Sequence, residues 1–205
     1  APAVIAADVP GILDFSAAGG DANTAALLLT RDMDGDPATE NDLELFYSEW
    51  DGSAWSSLAQ LTNDGVQDLS PTVLYDAAGA LTSVWVRDNQ LTMQSGGWAA
   101  PATTVPISTT GQVPAYRAVY NPAGDLVLFW QGGSPEGTDI YYAAYNAAHA
   151  AWSEQTQLTH DDALEREFAP VYTPDGALSM LFARDQITYT AQVVSPTLTV
   201  TMPQV

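Results

Sequence analysis

The sequence repeats itself, and a repeat constrains the fold more than any single motif. Leu61-Thr62-Asn63-Asp64 returns as Leu158-Thr159-His160-Asp161, 97 residues later. At the same offset Trp55 meets Trp152, Tyr75 meets Tyr172, Gly79-Ala80-Leu81 meets Gly176-Ala177-Leu178, and Arg87-Asp88 meets Arg184-Asp185. Half of that offset is about 48 residues, the size of one propeller blade, and a shorter period lies inside it. Four short apolar runs share an ending: Leu27 to Asp32, Val84 to Asp88, Leu128 to Gly132 and Leu181 to Asp185. Each follows a turn rich in Gly, Asp, Asn or Pro (Gly19-Gly20-Asp21, Asp76 to Gly79, Asn121 to Asp125, Thr173 to Gly176), and such residues preset a turn or tolerate positive φ.

Before each turn stands another short apolar or aromatic segment, as in Pro71–Tyr75, Ala115–Tyr120 and Pro170–Tyr172, so these pairs read as hairpins. A third strand follows at Leu45–Tyr47, Leu91–Met93, Ile140–Tyr142 and Ile187–Tyr189. A turn and a tryptophan then open a fourth segment at Trp55, Trp98 and Trp152. The fourth repeat departs, with Pro196 and no tryptophan, which leaves Thr197–Met202 as its outer strand.

The expected fold class is therefore all-β: a β-propeller of four four-stranded antiparallel blade repeats, either a small closed propeller or part of a larger one. The blades are expected at 12–62, 63–110, 111–159 and 160–202, after a leading segment 1–11 that can supply a closing strand. Residues 203–205 are a tail or the start of a following domain. The Ala-rich run Ala143–Ala151 has helical propensity, but the repeat places it at a hairpin.

Leu45-Phe46-Tyr47-Ser48-Glu49-Trp50-Asp51-Gly52-Ser53-Ala54-Trp55, with Leu61-Thr62 and Ser70-Pro71 after it, resembles the repeat of bacterial sialidase-like propellers of secreted and cell-surface proteins. In that family the turn between strands three and four carries the Asp-box, roughly Ser-x-Asp-x-Gly-x-x-Trp, a structural motif. Here Gly52 and Trp55 keep its end, Asp51 is shifted by one place, and the other blades keep only Trp98 and Trp152. Sialidase catalysis implies an arginine triad, a tyrosine nucleophile and an acidic helper. Arg31, Arg87 and Arg184 instead occupy one recurring blade position, each directly followed by Asp. They read first as a repeated structural Arg–Asp ion pair and only second as a converging triad.

Charge narrows the partners. The chain has 25 Asp+Glu against 5 Lys+Arg, a net charge of -20, and all five bases are arginine. Phosphate recognition needs clustered Lys and Arg, so nucleic acid is not an expected ligand, nor is an anionic membrane surface. No apolar run reaches the roughly 18 residues of a membrane span, so membrane insertion is not expected either. The absence of cysteine excludes disulfides and thiolate chemistry. With 46% hydrophobic residues the chain can bury a core, and it reads as soluble, mature or excised from something longer.

Propeller geometry puts the loops between strands two and three, and those between blades, on one face. Fifteen of the 25 acids fall there, from Asp32 to Asp185. Within that set Asp32, Asp34, Asp36, Glu40 and Asp42 alternate around Gly35. Such a loop can wrap Ca²⁺, which takes 6 to 8 oxygen ligands. It is not an EF-hand, since Gly35 is at the fourth place and Glu40 arrives early, and the alternative is a solvated turn whose Asp and Asn side chains cap backbone amides. His149 and His160, the only histidines, fall in turns and offer no triad. The tryptophans serve packing between blades or, alternatively, sugar stacking.

The expected function is a non-catalytic extracellular scaffold or binding module, secreted or at the cell surface, in a larger bacterial surface or filamentous assembly, with calcium as a stabilising cofactor. Its expected partners are proteins or further copies of itself, with glycans as a further class. The alternative is a sialidase-like glycoside hydrolase or a lectin, the lectin requiring exposed tryptophan.

Overall fold

The computed structural model describes residues 9–36, 38–107, 115–134, 137–160, 164–173, 175–184 and 187–193. Every regular element among them is a strand, arranged as consecutive antiparallel meanders. The first sheet joins β1 (Ile12–Gly19), β2 (Ala25–Asp32), β3 (Leu43–Trp50) and β4 (Ala59–Gln60) in chain order. The second joins β5 (Asp68–Tyr75), β6 (Leu81–Arg87), β7 (Gln90–Ser95) and β8 (Thr103–Thr104). In the third, β9 (Tyr116–Tyr120), β10 (Leu126–Ser134) and β11 (Gly137–Asn146) are followed by β12 (Ala151–Trp152) and β13 (Thr156–Gln157), both on the far edge of β11. The fourth holds β14 (Glu165–Tyr172), β15 (Leu178–Arg184) and β16 (Ile187–Val193). This repeated meander is the blade architecture of a β-propeller, and the fold class is the one the repeat implied. The outer strand expected at Thr197–Met202 and residues 1–8 of the leading segment lie outside the described residues.

The chain divides into two compact units, Ala1–Val105 and Pro106–Val205. In the first, period-two alternation points Ala26 and Leu28 of β2 and Leu45 of β3 toward Val73, Leu81 and Trp85 of the second sheet, with Tyr47, Tyr75 and Trp98 packed around them. In the second unit Leu178, Met180 and Phe182 alternate along β15 and meet Val127, Phe129, Ile140, Leu158 and Phe168. Each fully buried aliphatic side chain of this kind contributes about 1.5–3 kcal/mol.

The Ala-rich run is a hairpin, as the repeat required. β11 continues to Asn146, a turn reverses the chain, Ala150 takes φ 49°, and Trp152 pairs back against Tyr145. The outer strands differ from expectation, being two-residue fragments. Trp98 opens no strand: Gly96 and Gly97 adopt φ of 98° and 92°, and Gln94 Nε2 donates to the Trp98 and Ala100 carbonyls, so pairing resumes only at Thr103. The first strands β1, β5 and β14 each carry a register shift near their start. In β5 it coincides with Ser70 at φ 50° and with Pro71, which has no N–H for the ladder.

Candidate functional site

The β2–β3 loop is built on the end of a two-strand ladder. Asp32 pairs with Leu43, and the segment between them reverses through Gly35 at φ 77°. Its acids first tie down the loop's own backbone. Asp32 Oδ1 accepts from Gly35 N at 2.6 Å, Asp34 Oδ1 from Asp36 N at 2.8 Å, and Asp36 Oδ1 from Ala38 N at 3.0 Å. Asp42 Oδ2 accepts from Asp34 N at 3.0 Å, which closes the loop across its base. These are Asx-type bonds, and hydrogen bonding from the Asp36 amide holds the Asp34 carboxyl below its ordinary value.

Capping leaves oxygens over. Oxygens of Asp32, Asp34 and Asp42 all lie within 4.8 Å of one another. Asp32 is buried, and Asp42 Oδ1 is shut from solvent with no hydrogen-bond donor. Of the five acids singled out in the sequence, the structure thus gathers three. Asp36 turns to Ala38, and Glu40 accepts from Gln67 Nε2 at 3.0 Å, a partner 27 residues away. Three hard carboxylates this close together suit Ca²⁺, with further ligands available from backbone carbonyls and water.

The loop adjoins a second carboxylate network. Glu44, 3% exposed, accepts from Asp64 N at 2.7 Å through Oε1, while its Oε2 is buried without a donor. Asp64 and Asp68 hold Arg87: Nη1 lies 3.1 and 2.9 Å from the two Asp68 oxygens, and Nη2 contacts Asp64 at 2.5 Å. Asp68 is fully buried and also accepts from Trp85 Nε1 at 2.8 Å. Burial pushes its carboxyl pKa up, against the opposing pull of Thr62, Arg87 and Trp85.

The expected Arg–Asp ion pair forms within the blade at Arg87, with Asp64 and Asp68, and among the described residues does not recur at Arg31. Arg87 is an ion-pair residue, but Asp88 is not its partner: Asp88 and Asn89, at φ 46° and 59°, form the two-residue turn between β6 and β7. Arg31 makes no ion pair among the described residues; its Nε donates to the Pro10 carbonyl at 3.1 Å and its guanidinium lies 5.6 Å from the Phe46 ring centroid. The signal for the true partners was Asp64 and Asp68 in the preceding connection, and the sequence reading placed both on the acidic face without linking them to Arg87. Among the other acids of that face, Glu136, Asp161, Asp162 and Asp185 lie outside the described residues.

None of the six tryptophans is freely exposed. Trp85 and Trp130 are buried, and Trp50, Trp55, Trp98 and Trp152 are half-buried. Trp98 stacks on Tyr47 with centroids 4.4 Å apart, and Trp152 contacts Tyr145 at 5.2 Å. Packing is therefore their evident role. His149 Nδ1 lies 2.7 Å from Asn146 Oδ1 within its turn.

No protein-family model and no curated protein matches the sequence. Solved structures do. A protein of unknown function from Dyadobacter fermentans superposes with a TM-score of 0.66 at 14% identity, over 93% of this chain and 68% of its own. A family 117 glycoside hydrolase from the marine bacterium Zobellia galactanivorans gives 0.60 at 13% identity, over 94% and 68%. A Hadza microbial sialidase gives 0.56 at 12% identity, over 93% and 44%. This chain spans less than half of that sialidase. At these identities the likeness is one of fold alone.

Proposed function

We propose that the chain is a non-catalytic β-propeller module, secreted or at the cell surface, that serves as a scaffold or binding domain in a larger assembly and is stabilised by Ca²⁺ in the β2–β3 loop. The observation that carries this reading is that one carboxylate oxygen each from Asp32, Asp34 and Asp42 lies within 4.8 Å of the others, with Asp42 Oδ1 buried without a donor. Bringing like charges together raises the energy of the metal-free loop, and a divalent cation reverses the sign of that term. The scaffold reading is supported by the two described arginines of the recurring blade position. Arg87 is enclosed by two carboxylates and Arg31 by a carbonyl and a ring, so neither is presented to a substrate.

The test is thermal unfolding in chelator and then in Ca²⁺ at matched ionic strength. A ligand present at a hundred times its Kd adds about 2.7 kcal/mol, which for a chain of this size is a rise of roughly 5–10 °C. The loop should also gain resistance to proteolysis. Identical melting and cleavage with and without chelator would remove calcium from the reading.

A second reading, a glycan-directed module of hydrolase or lectin type, is favoured by the glycoside-hydrolase names among the structural neighbours. A glycan array with and without Ca²⁺ separates the two. Specific retention of a glycan supports the second reading, and a clean negative leaves the scaffold.

A further inference from the structure

The second unit contains a cleft that the acidic loop does not explain. Arg117 on β9 lies beside β14, its guanidinium seated over the Phe168 ring at 5.7 Å from the centroid. Nη1 donates to the Tyr116 carbonyl at 2.8 Å. Nη2 is 3.8 Å from Glu167 Oε2, beyond hydrogen-bond length, and Nε has no acceptor among the described residues. Nε and Nη2 form the edge of the guanidinium that receives a planar carboxylate through two parallel bonds. The Arg117 side chain is 46% exposed and that of Glu167 85%, so both stand at the solvent boundary. Arg117 borders a cavity of about 300 Å³ walled by Ala169, Leu181 and Ala183, with Phe168 and Phe182 behind them. Leu181 is half exposed, so the wall offers apolar surface to a visitor.

We infer that this cleft binds a small carboxylic acid bearing an apolar ring or branched chain. The carboxylate takes the Nε/Nη2 edge and the apolar body rests on Leu181, Ala169 and Ala183. The aromatic seat and the Tyr116 carbonyl fix the guanidinium beforehand, so little side-chain freedom is lost on binding. The walls carry one polar side chain besides Arg117, so a polyhydroxylated acid of the same size would leave most of its hydroxyls unpaired as they leave water. The cavity stands at the small end of ligand sites, which fits a single ring.

Net charge supplies an unusual signature. An anion approaching a chain of charge -20 meets a repulsive field. Salt shortens the reach of that field from about 30 Å at 0.01 M to about 10 Å at 0.1 M, while the direct contact is much less affected. Binding therefore strengthens over this range, whereas a cation site weakens.

The test is fluorine NMR of 4-fluorobenzoate with the full chain, using 4-fluorobenzamide as the neutral isostere and glucuronate as a polar competitor. The expected affinity is millimolar, about what a ligand of ten heavy atoms achieves. Arg117→Gln and replacement by the amide each weaken binding at least about tenfold, the loss of one charge-assisted pair. Arg117→Lys, which keeps the charge without the fork, also weakens it and serves if the glutamine variant fails to fold. Equal binding of acid and amide, retention in a folded Arg117 variant, displacement by equimolar glucuronate, or no response at about 20 mM ligand, well above the expected Kd, would each overturn the inference.

Discussion

Arg87→Met tests the claim that the β5–β6 pair organises one end of the first unit. Methionine keeps most of the apolar stem and deletes the charge. What remains is Asp68, fully buried, with Trp85 Nε1 as a donor and its strongest charge partner gone. Breaking a wholly buried pair costs about 3–5 kcal/mol. Here the guanidinium is about a quarter exposed, so water can reach part of the vacated site, and the lower figure of about 2–3 kcal/mol applies. The contact with Asp64, whose side chain is 47% exposed, adds less than about 1 kcal/mol. In a chain of this length the total is a fall in Tm of roughly 5–10 °C.

The pH dependence of that deficit separates an electrostatic cause from lost packing. Asp68 already has a raised carboxyl pKa, chiefly through burial. A raised acid favours folding while protonated, and that contribution is lost as pH rises through its folded value. Removing Arg87 takes away one of the influences that lower the pKa, so it rises further. Urea unfolding should therefore show the largest deficit near neutrality, shrinking as pH falls through the Asp68 value in the variant. Asp68→Asn in the same background should recover much of the loss, because the uncompensated charge goes with it. A deficit under about 0.5 kcal/mol at neutral pH, the range of an ordinary surface change, or one that grows on acidification, would refute the argument.

Other expectations follow from single positions. Phe129, fully buried in the second unit, should cost about 3–5 kcal/mol as Phe129→Ala in urea unfolding. Gly79, at φ 81° in the β5–β6 turn, has open space around a Cβ, so Gly79→Ala should cost only its backbone strain, about 1–2 kcal/mol in the same assay. Asp51 caps its turn by accepting from Ala54 N, Ser53 N and Ser53 Oγ, and these bonds, that of Ala54 first, hold its carboxyl below the ordinary value. Its stabilisation is present above the unfolded pKa and lost as pH falls through the folded one, so melts of Asp51→Ala and the parent should converge in acid. Asp42→Asn should raise Tm in chelator, by relieving repulsion, and abolish the calcium response in the same melts.

The blades were legible because two local signals agree: alternation of apolar residues places Leu178, Met180 and Phe182 on one face, and Gly- or Asp-bearing turns recur at matching intervals. The outer strand was misplaced at Trp98, where the tryptophan packs without pairing, whereas Trp152 does pair, with Tyr145. Trp98 stacks on Tyr47, its indole N–H buried without an acceptor, while two positive-φ glycines carry the backbone away from the ladder. The acidic loop was legible as a loop, and Asp32, Asp34 and Asp42 converge because they flank one short reversal. Glu40 was not, since its partner Gln67 belongs to the next connection. Arg87 does pair with aspartates of its own blade, and strand pairing decides which: the register shift at Leu69/Thr72 sets Asp68 opposite Arg87, while Asp88 goes into the following turn.

The acids of the first unit fall into two populations with different consequences. At the hairpin ends, Asp21 accepts from Asn23 N, Asp51 from Ser53 and Ala54, and Asp76 from Ala78 and Ala80. Those carboxylates have a structural occupation in the turns that carry them. At the opposite end of the first sheet, Asp42, just before β3, and Glu44, within it, each retain a buried oxygen with no donor. Unit charges within the 4.8 Å that bounds the oxygens of Asp32 and Asp42 repel by about 1–3.5 kcal/mol or more, between the aqueous and protein-surface dielectric limits. Nothing in the turn geometry requires that repulsion, since the caps at the other end do without it. With Ca²⁺ in the β2–β3 loop as proposed, stability at that end should depend on the cation, while the hairpin ends, capped by separate carboxylates, should not. Chelation should therefore act on the β2–β3 loop alone, whereas acidification should act on the turns and, through the lowered Asp34 carboxyl, on that loop as well.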